Sequence, residues 1–490
     1  MSVDSSYKQT GVLLHITSLP SDFGIGDLGK EAYRFIDYLA DNKHTYWQVL
    51  PLNYPGFGDS PYNAISTFAG NPLLIDPVKL FEQGFLSKSD LGFAKLPNQG
   101  SVDFKNTAIT KDRLFRNAYQ KFKNSEEFEN LYLYLHQESY WLKAFSVFSY
   151  YKDMYKTANW QSWKTKQKFY TEGMFNHLFE TNKDDLMYYM FLQYVFDTQL
   201  NDLKAYAAHK GIKIIGDMPI YVSHDSCDVW SNPHLFELDE SGKSLLVSGV
   251  PPDAFSDSGQ LWGNPLYRWD NMQADDYNWW KQRLKKVFKY ADRLRLDHFI
   301  GYVNYWVVNA DDDTAVNGKW VDGPKRAFFD TIIQEFPKES FIAEDLGILT
   351  DEVNNIRDDY GFPGMIILQF CFQDDKNDVL SFPKDRIIFT GTHDNHTTRG
   401  WFLENQNLSN NNNDFMESYL HKVGMLKTSE KLAEHNVSEL MIKLALASPC
   451  HIAIIPMQDI LGLDDRTRMN IPGEAEGNWK WRIIPTEVID

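Results

Sequence analysis

Cysteine is scarce in this chain: Cys227, Cys371 and Cys450 are the three among 490 residues. The count is odd and no CxxC spacing occurs, so neither a disulfide framework nor a cysteine zinc site is indicated. A cytoplasmic, reducing location is the expectation. Long apolar runs are missing too, since no stretch approaches the roughly 20 residues that cross a bilayer as a helix. The start, MSVDSSYKQT, lacks a basic segment followed by an apolar one, so no secretory signal is expected. Positive charge is outweighed: 49 Lys and Arg stand against 67 Asp and Glu, a formal net charge of -18. Such a chain repels phosphate backbones and anionic lipid, which argues against nucleic acid and membranes as partners. A neutral substrate is compatible with it.

Several site signatures are absent or fail on inspection. GIGDLG places Gly24, Gly26 and Gly29 in a literal GxGxxG. A dinucleotide fold would need a tight turn before it and an acid at the end of the next strand. Ser-Leu-Pro-Ser-Asp intervenes before the glycines, and the next strand, YWQVLPLNY, ends without an acid. A Gly-rich entry into a helix is the better reading. His393 and His396 flank Asp394, but no HExxH or other ligand spacing accompanies them, so no metal is expected. The aspartates of NADDDTAVNG do not complete a calcium loop, and no GxSxG elbow is present. No cofactor is therefore expected.

What the chain does have is a series of short apolar runs. Strands are predicted in GVLLHITS from Gly11, YWQVLPL from Tyr46, IKIIGDMPIYV from Ile212 and RLRLDHF from Arg293. Four more follow in SFIAEDLG from Ser340, GMIILQF from Gly364, RIIFTGTHD from Arg386 and HIAIIPMQDI from His451. Helical periodicity lies between several of them, as in Ala32, Phe35, Ile36 and Leu39. Eight strands alternating with helices predict an α/β fold, a (β/α)8 barrel with insertions; an open doubly wound sheet is the competitor. The whole chain, 1–490, reads as one catalytic barrel. Residues 53–211 form a mainly helical insertion, and 223–276 a loop-rich one, rich in Asp, Ser, Pro and Gly, expected over the active site.

Barrel chemistry sits at the C-terminal ends of strands. There the chain carries Asp217, Arg295, Asp297, His298, Glu344, Asp345, His393 and Asp394. Four strands ending in carboxylates on one rim would repel and raise each other's pKa, a cost usually kept for function. In RLRLDHF, Leu294 and Leu296 share one strand face while Arg295 and Asp297 share the other. Paired carboxyls are what glycoside cleavage needs, one as acid and one as nucleophile or base, about 5–5.5 Å apart for retention. Neighbouring strands could bring Asp297 and Glu344 to that distance. The phase of a strand tip leaves Asp345 open as the alternative acid. Abundant aromatics, Trp 14 and Tyr 26, serve a core first, though flat rings also stack on sugars.

At this point a resemblance becomes specific. SLPSDFGIGDLG, WQVLPL, GDMPIYV, GVPPDAFSDSGQLWGNPLY, RLDHFIGY, AEDLG, GTHDN and RMNIPGEAEGNWKWR together resemble the 4-alpha-glucanotransferases of glycoside hydrolase family 77, over nearly the full chain. The resemblance implies retaining transfer of an α-1,4-glucan segment from a donor maltooligosaccharide or starch-type glucan to the 4-hydroxyl of an acceptor glucan or glucose. It implies Asp297 as nucleophile, Glu344 as acid/base and Asp394 as the group that steadies the distorted sugar. It places Arg295, His298, His393 and Asp217 at the donor sugar, with Ser60 and Tyr62 bordering that site. Trp262 would lie on one loop over the glucan and Asn470 on another. No metal or organic cofactor is implied. Departures at Ile300, Tyr302, Asn309, Lys325 and Glu474 bear on acceptor preference and product size. An α-1,4-glucan hydrolase and a non-catalytic glucan-binding protein are the alternatives. Monomer and weak dimer both remain open.

Overall fold

The computed structural model describes residues 8–156, 159–252, 257–347, 349–408 and 410–484. Part of the GVPPDAFSDSG run, 253–256, lies outside the described residues. All eight predicted strands are present: β1 (Gln9–Leu13), β2 (Tyr46–Gln48), β3 (Lys213–Met218), β4 (Arg293–Leu296), β5 (Phe341–Ala343), β6 (Gly364–Ile367), β7 (Arg386–Phe389) and β8 (Ile452–Pro456). They pair in parallel in the order β6-β7-β8-β1-β2-β3-β4-β5. Between the two ends of that order, the Ala343 N–H donates to Pro363 O at 3.0 Å, so the sheet nearly closes into a barrel. Central strands read as near-continuous apolar runs because both faces are covered. Every residue of β8, for instance, is buried.

The helices between strands bury the predicted stripes. Lys30–Asp41 buries Ala32, Phe35, Ile36 and Leu39. Asp351–Tyr360 starts at Thr350, whose hydroxyl accepts the Val353 N–H, and stops at Gly361, which takes the left-handed conformation a helix end favours. Between β2 and β3 lie Phe104–Phe122, Phe128–Gln137, Ser139–Tyr155, Glu172–Thr181 and Lys183–His209, among shorter helices. The last runs 27 residues, about 40 Å at 1.5 Å per residue, and delivers the chain into β3.

The region 223–276 holds more than loops. Leu246–Val250 and Gln260–Pro265 are strands. With Asn304–Asn309 and Lys319–Asp322, from between β4 and β5, they form a four-stranded antiparallel sheet. Its strands escape the pattern because Gly249, Gly263 and an irregular register break the alternation.

The GIGDLG segment is a packing device. A Cβ on Gly26 would stand 1.9 Å from Ile16 O and 2.7 Å from Leu19 N, both backbone atoms. Asp27 beside it is buried and accepts from the Ser21 hydroxyl and the Gly29 N–H. Gly26→Ala should therefore cost about 2 kcal/mol or more, read as a fall in unfolding midpoint, since backbone must move. An unchanged midpoint would refute this reading of the motif.

Candidate active site

The rim at the C-terminal ends of β3, β4, β5 and β7 gathers the charged residues. Asp217 on β3 stands opposite Arg295 on β4 in the strand register. Both are buried, and Arg295 Nη1 donates to Asp217 Oδ1 and Oδ2 at 2.8 Å each. The same nitrogen lies 3.0 Å from Asp297 Oδ1. Leu294 and Leu296 belong to the main apolar core. This resolves why one strand carries an apolar back and a polar front. The front delivers one guanidinium between two carboxylates. Removing the guanidinium from such a buried pair would cost about 3–5 kcal/mol. The Tyr62 hydroxyl completes the set, donating to Asp217 Oδ2 at 2.5 Å.

The tips of β3, β4 and β5 are tied together by main chain. Asp297 N–H donates to Met218 O, and Glu344 N–H to Leu296 O, both at 3.1 Å. His298 follows with φ of 48°, left-handed backbone that a non-glycine residue adopts at a cost. That turn aims the His298 N–H at Glu344 Oε2, 2.7 Å away, while Leu346 N–H reaches Oε1 at 3.2 Å. The neighbouring Asp345 is engaged elsewhere. Its carboxylate accepts from Arg357 at 2.5 Å and from the Met365 N–H at 2.7 Å, and its side chain is buried. Between the two candidate acids, only Glu344 is placed with Asp297.

The electrostatics separate three carboxyls. Burial pushes Glu344 up to about 8; Arg295 opposes this, and the Asp297 charge adds to it. Asp297 is pushed up to about 6 by burial, against the pull of Arg295 and with Asp217 and Asp394 adding to the rise. Asp394 goes the other way. Although burial opposes it, His393, Asn470 and Arg295 hold that carboxyl well below the usual range. His393 Nε2 lies 3.2 Å from Asp394 Oδ2, and the Asn470 amide donates to Oδ1 at 2.7 Å. The side chains of Asp297 and Asp394 are still 24% and 42% exposed, so both remain reachable from solvent. A carboxyl whose proton is favoured by burial, beside two carboxyls paired with Arg295 and His393, is an arrangement that can supply a general acid and a nucleophile.

The remaining predicted residues surround these. Tyr62 stacks on His393 with centroids 5.1 Å apart, and Trp479 packs against both rings. The Ser60 hydroxyl accepts the Tyr62 N–H at 3.2 Å, shaping the turn that presents the tyrosine. Trp262 is exposed and meets His298 edge-on at 4.8 Å. Burial lowers the His298 imidazole to about 4, so this ring is neutral at pH 7.

Two participants escaped the sequence reading. Arg468 donates to Asp394 O at 2.6 Å and to Asn470 O at 2.8 Å, tying the segment after β8 to the turn after β7. His15, just past β1, shares a cavity wall with His393 and His396. It is buried, and that burial, with His393 nearby, lowers it to about 3. His15 is a polar strand-end residue and could have been found as such; Arg468 had no local signal.

Comparison with known proteins gives one result. The family model for 4-alpha-glucanotransferase, glycoside hydrolase family 77, matches residues 14–486. A 4-alpha-glucanotransferase of Aquifex aeolicus is 41% identical over 480 residues, covering 97% of this chain and 95% of that protein. One from Thermus thermophilus is 39% identical over 486 residues, covering 98% and 95%. The amylomaltase of Streptococcus agalactiae, solved in complex with acarbose, superposes with a TM-score of 0.92 at 36% identity, covering 99% of this chain and 97% of that one.

Proposed function

This chain belongs to glycoside hydrolase family 77, the 4-alpha-glucanotransferases, and from that premise we propose how its own residues divide the reaction. Asp297, held by Arg295, attacks the anomeric carbon of the donor glucan. Glu344 gives its proton to the departing glycosidic oxygen, so the reducing-end fragment leaves with a free 4-hydroxyl. The donor segment stays on Asp297 as a glucosyl ester. Glu344, now ionised, takes the proton of an incoming 4-hydroxyl, and that oxygen displaces Asp297. The new α-1,4 bond restores both carboxyls, and two inversions leave net retention. Asp394, the most acidic of the three, faces the positive charge that develops on the sugar. Arg295, His298, His393 and Asp217 form the donor-sugar floor, with Ser60 and Tyr62 at its edge. Trp262 and Asn470 come from covering segments.

The observation that carries this assignment is the geometry at the two strand tips: Arg295 Nη1 lies 3.0 Å from Asp297 Oδ1, while the His298 and Leu346 N–H groups hold the Glu344 carboxyl, and burial raises Glu344 above its ordinary range. Asn470 is given a positioning part, because its amide holds Asp394. The whole chain acts as one catalytic barrel, with 53–211 and 223–276 as insertions. The substrates are donor and acceptor maltooligosaccharides, glucose included as acceptor, and the site is proposed to work without metal or organic cofactor.

The direct test is incubation with maltotriose alone. Released glucose together with a ladder of longer maltooligosaccharides is the expected result. Only shorter sugars would make water the acceptor and the protein a hydrolase. Unchanged maltotriose with folded protein would leave glucan binding without turnover.

A further inference from the structure

Three rings meet beside the carboxylates, and the third is Trp479. Tyr62 and His393 lie nearly parallel, 14° apart in plane and 5.1 Å between centroids. Trp479 closes the triangle at 5.6 Å from Tyr62 and 6.0 Å from His393. Each of the first two rings carries a polar arm to a carboxylate. The Tyr62 hydroxyl donates to Asp217, which shares Arg295 with Asp297. His393 Nε2 lies 3.2 Å from Asp394 Oδ2. Trp479 is 7% exposed, so it offers a substrate almost no surface.

The backbone under that ring is strained. Trp479 has φ of 66°, left-handed geometry that a bulky residue keeps only where its surroundings over-determine it. They do so on both sides. Before it, the buried Asn478 side chain accepts the Ile471 N–H and donates to Glu474 O, both at 2.9 Å, which closes the loop 471–478 on itself. The Trp479 N–H donates to Met469 O at 2.6 Å. After it, Lys480 O accepts the Val102 N–H at 2.8 Å and Trp481 forms a bridge with Ser101. The Ile483 N–H then donates to Ser18 O, just past β1, at 2.8 Å. The chain is thus clamped around one residue, whose ring it holds against Tyr62 and His393. Glycine would suit this backbone without strain. A tryptophan in its place costs conformational energy and gains the two ring contacts.

We propose that Trp479 is a positioning residue for the transfer reaction: its ring backs Tyr62 and His393 and through them fixes Asp217 and Asp394. The proposal rests on the reading that Asp297 and Asp394 serve glucan transfer. Flat rings in contact restrict each other's tilt. Tilting Tyr62 withdraws its hydroxyl from Asp217, the carboxylate that shares Arg295 with the nucleophile. Tilting His393 removes one of the two side chains that hold Asp394. Both arms end on groups that act as charge develops on the sugar. Their loosening therefore falls on kcat, not on KM.

Trp479→Gly is the variant to make, because glycine relaxes the backbone and removes the ring. If Trp479 merely shaped the loop, this variant would lose nothing. The expected result is a kcat on maltotriose lower by about 10^2-fold, the scale of a small misplacement, with KM within about twofold of the parent's. Trp479→Phe, which restores a flat ring on the strained backbone, should recover most of that loss. Crystal structures read the geometry without turnover. In Trp479→Gly the Tyr62–Asp217 and His393–Asp394 contacts should lengthen past hydrogen-bond distance or split between rotamers, with the eight strands unmoved. Unchanged contacts, a kcat equal to the parent's, or a loss confined to KM would each overturn the proposal. Equal losses in the glycine and phenylalanine variants would do so too, since they would make the indole a filler of volume. Should the glycine variant melt below the assay temperature, Trp479→Leu, which fills space without a flat face, is held to the same readings. If the parent itself leaves maltotriose unchanged, the catalytic reading fails, and the crystal structures still decide whether the indole positions the two arms.

Discussion

Asp297→Asn should fold, bind glucan and lose transfer by about 10^4-fold or more, the scale on which removing a covalent nucleophile acts. The side chain keeps its shape, and Arg295 keeps both contacts to Asp217 at 2.8 Å, so the buried guanidinium is not left without a partner. Stability should not fall at neutral pH. In the folded chain Asp297 is raised from 3.8 to about 6, so its charge is disfavoured there. The folded state then binds a proton that the unfolded state has released, and stability declines as pH rises through that window. The amide has no such charge to disfavour. The checks are disproportionation of maltotriose, calorimetric binding of a maltooligosaccharide and a thermal midpoint at pH 7. Turnover close to that of the parent would remove Asp297 from the nucleophile's role. Lost binding together with a collapsed midpoint would mean that the carboxylate is chiefly a structural partner of Arg295.

The barrel was readable because most of its strands contain a short apolar run, and several end in polar residues at the rim. Ile387, Ile388 and Phe389 before Thr390 behave this way, and Ile454 and Ile455 make the same kind of buried run in β8. Such runs report burial on both faces, as a covered parallel sheet provides. The antiparallel sheet was not readable for the opposite reason. Trp306, Gly249 and Leu261 join in space from three separated segments, and none of those segments alternates cleanly. At the site, Arg295 and Asp297 could be placed on one face from spacing alone. The choice between Glu344 and Asp345 could not, because adjacent residues at a tip differ by a half-turn of the strand. The contacts that favour Glu344 come from distant residues: Arg357 and Met365 engage Asp345, and the His298 N–H donates to Glu344. The contacts of Asp394 to Asn470 and Arg468 span more than seventy residues, and no local pattern encodes them.

Glu344→Gln should separate the two carboxyls by their response to the leaving group. With Asp297 ionising near 6 and Glu344 near 8, kcat/KM should be bell-shaped, its limbs belonging to the pair as a whole. The glutamine variant should lose about 10^2- to 10^4-fold on maltotriose, the usual worth of a general acid, and its alkaline limb should vanish. It should also be more stable than the parent as pH rises. Glu344 moves from 4.5 to about 8 on folding, so between those values the folded parent holds a proton the unfolded chain has given up. Stability of the parent falls with pH across that window, and the variant, which has no proton to hold, escapes the fall. A difference in melting midpoint that shrinks from pH 5 to pH 8 would contradict this. The sharper comparison uses α-maltosyl fluoride as donor. Fluoride departs without being protonated, so the first step no longer needs an acid. Glu344→Gln should then form its glucosyl ester at a rate approaching the parent's and stall at acceptor activation, with the ester detectable by mass. Asp297→Asn should gain nothing from the better leaving group, because the carboxylate that would receive the sugar is gone. Equal rescue of both variants, or of neither, would overturn the division of labour between the two strand tips.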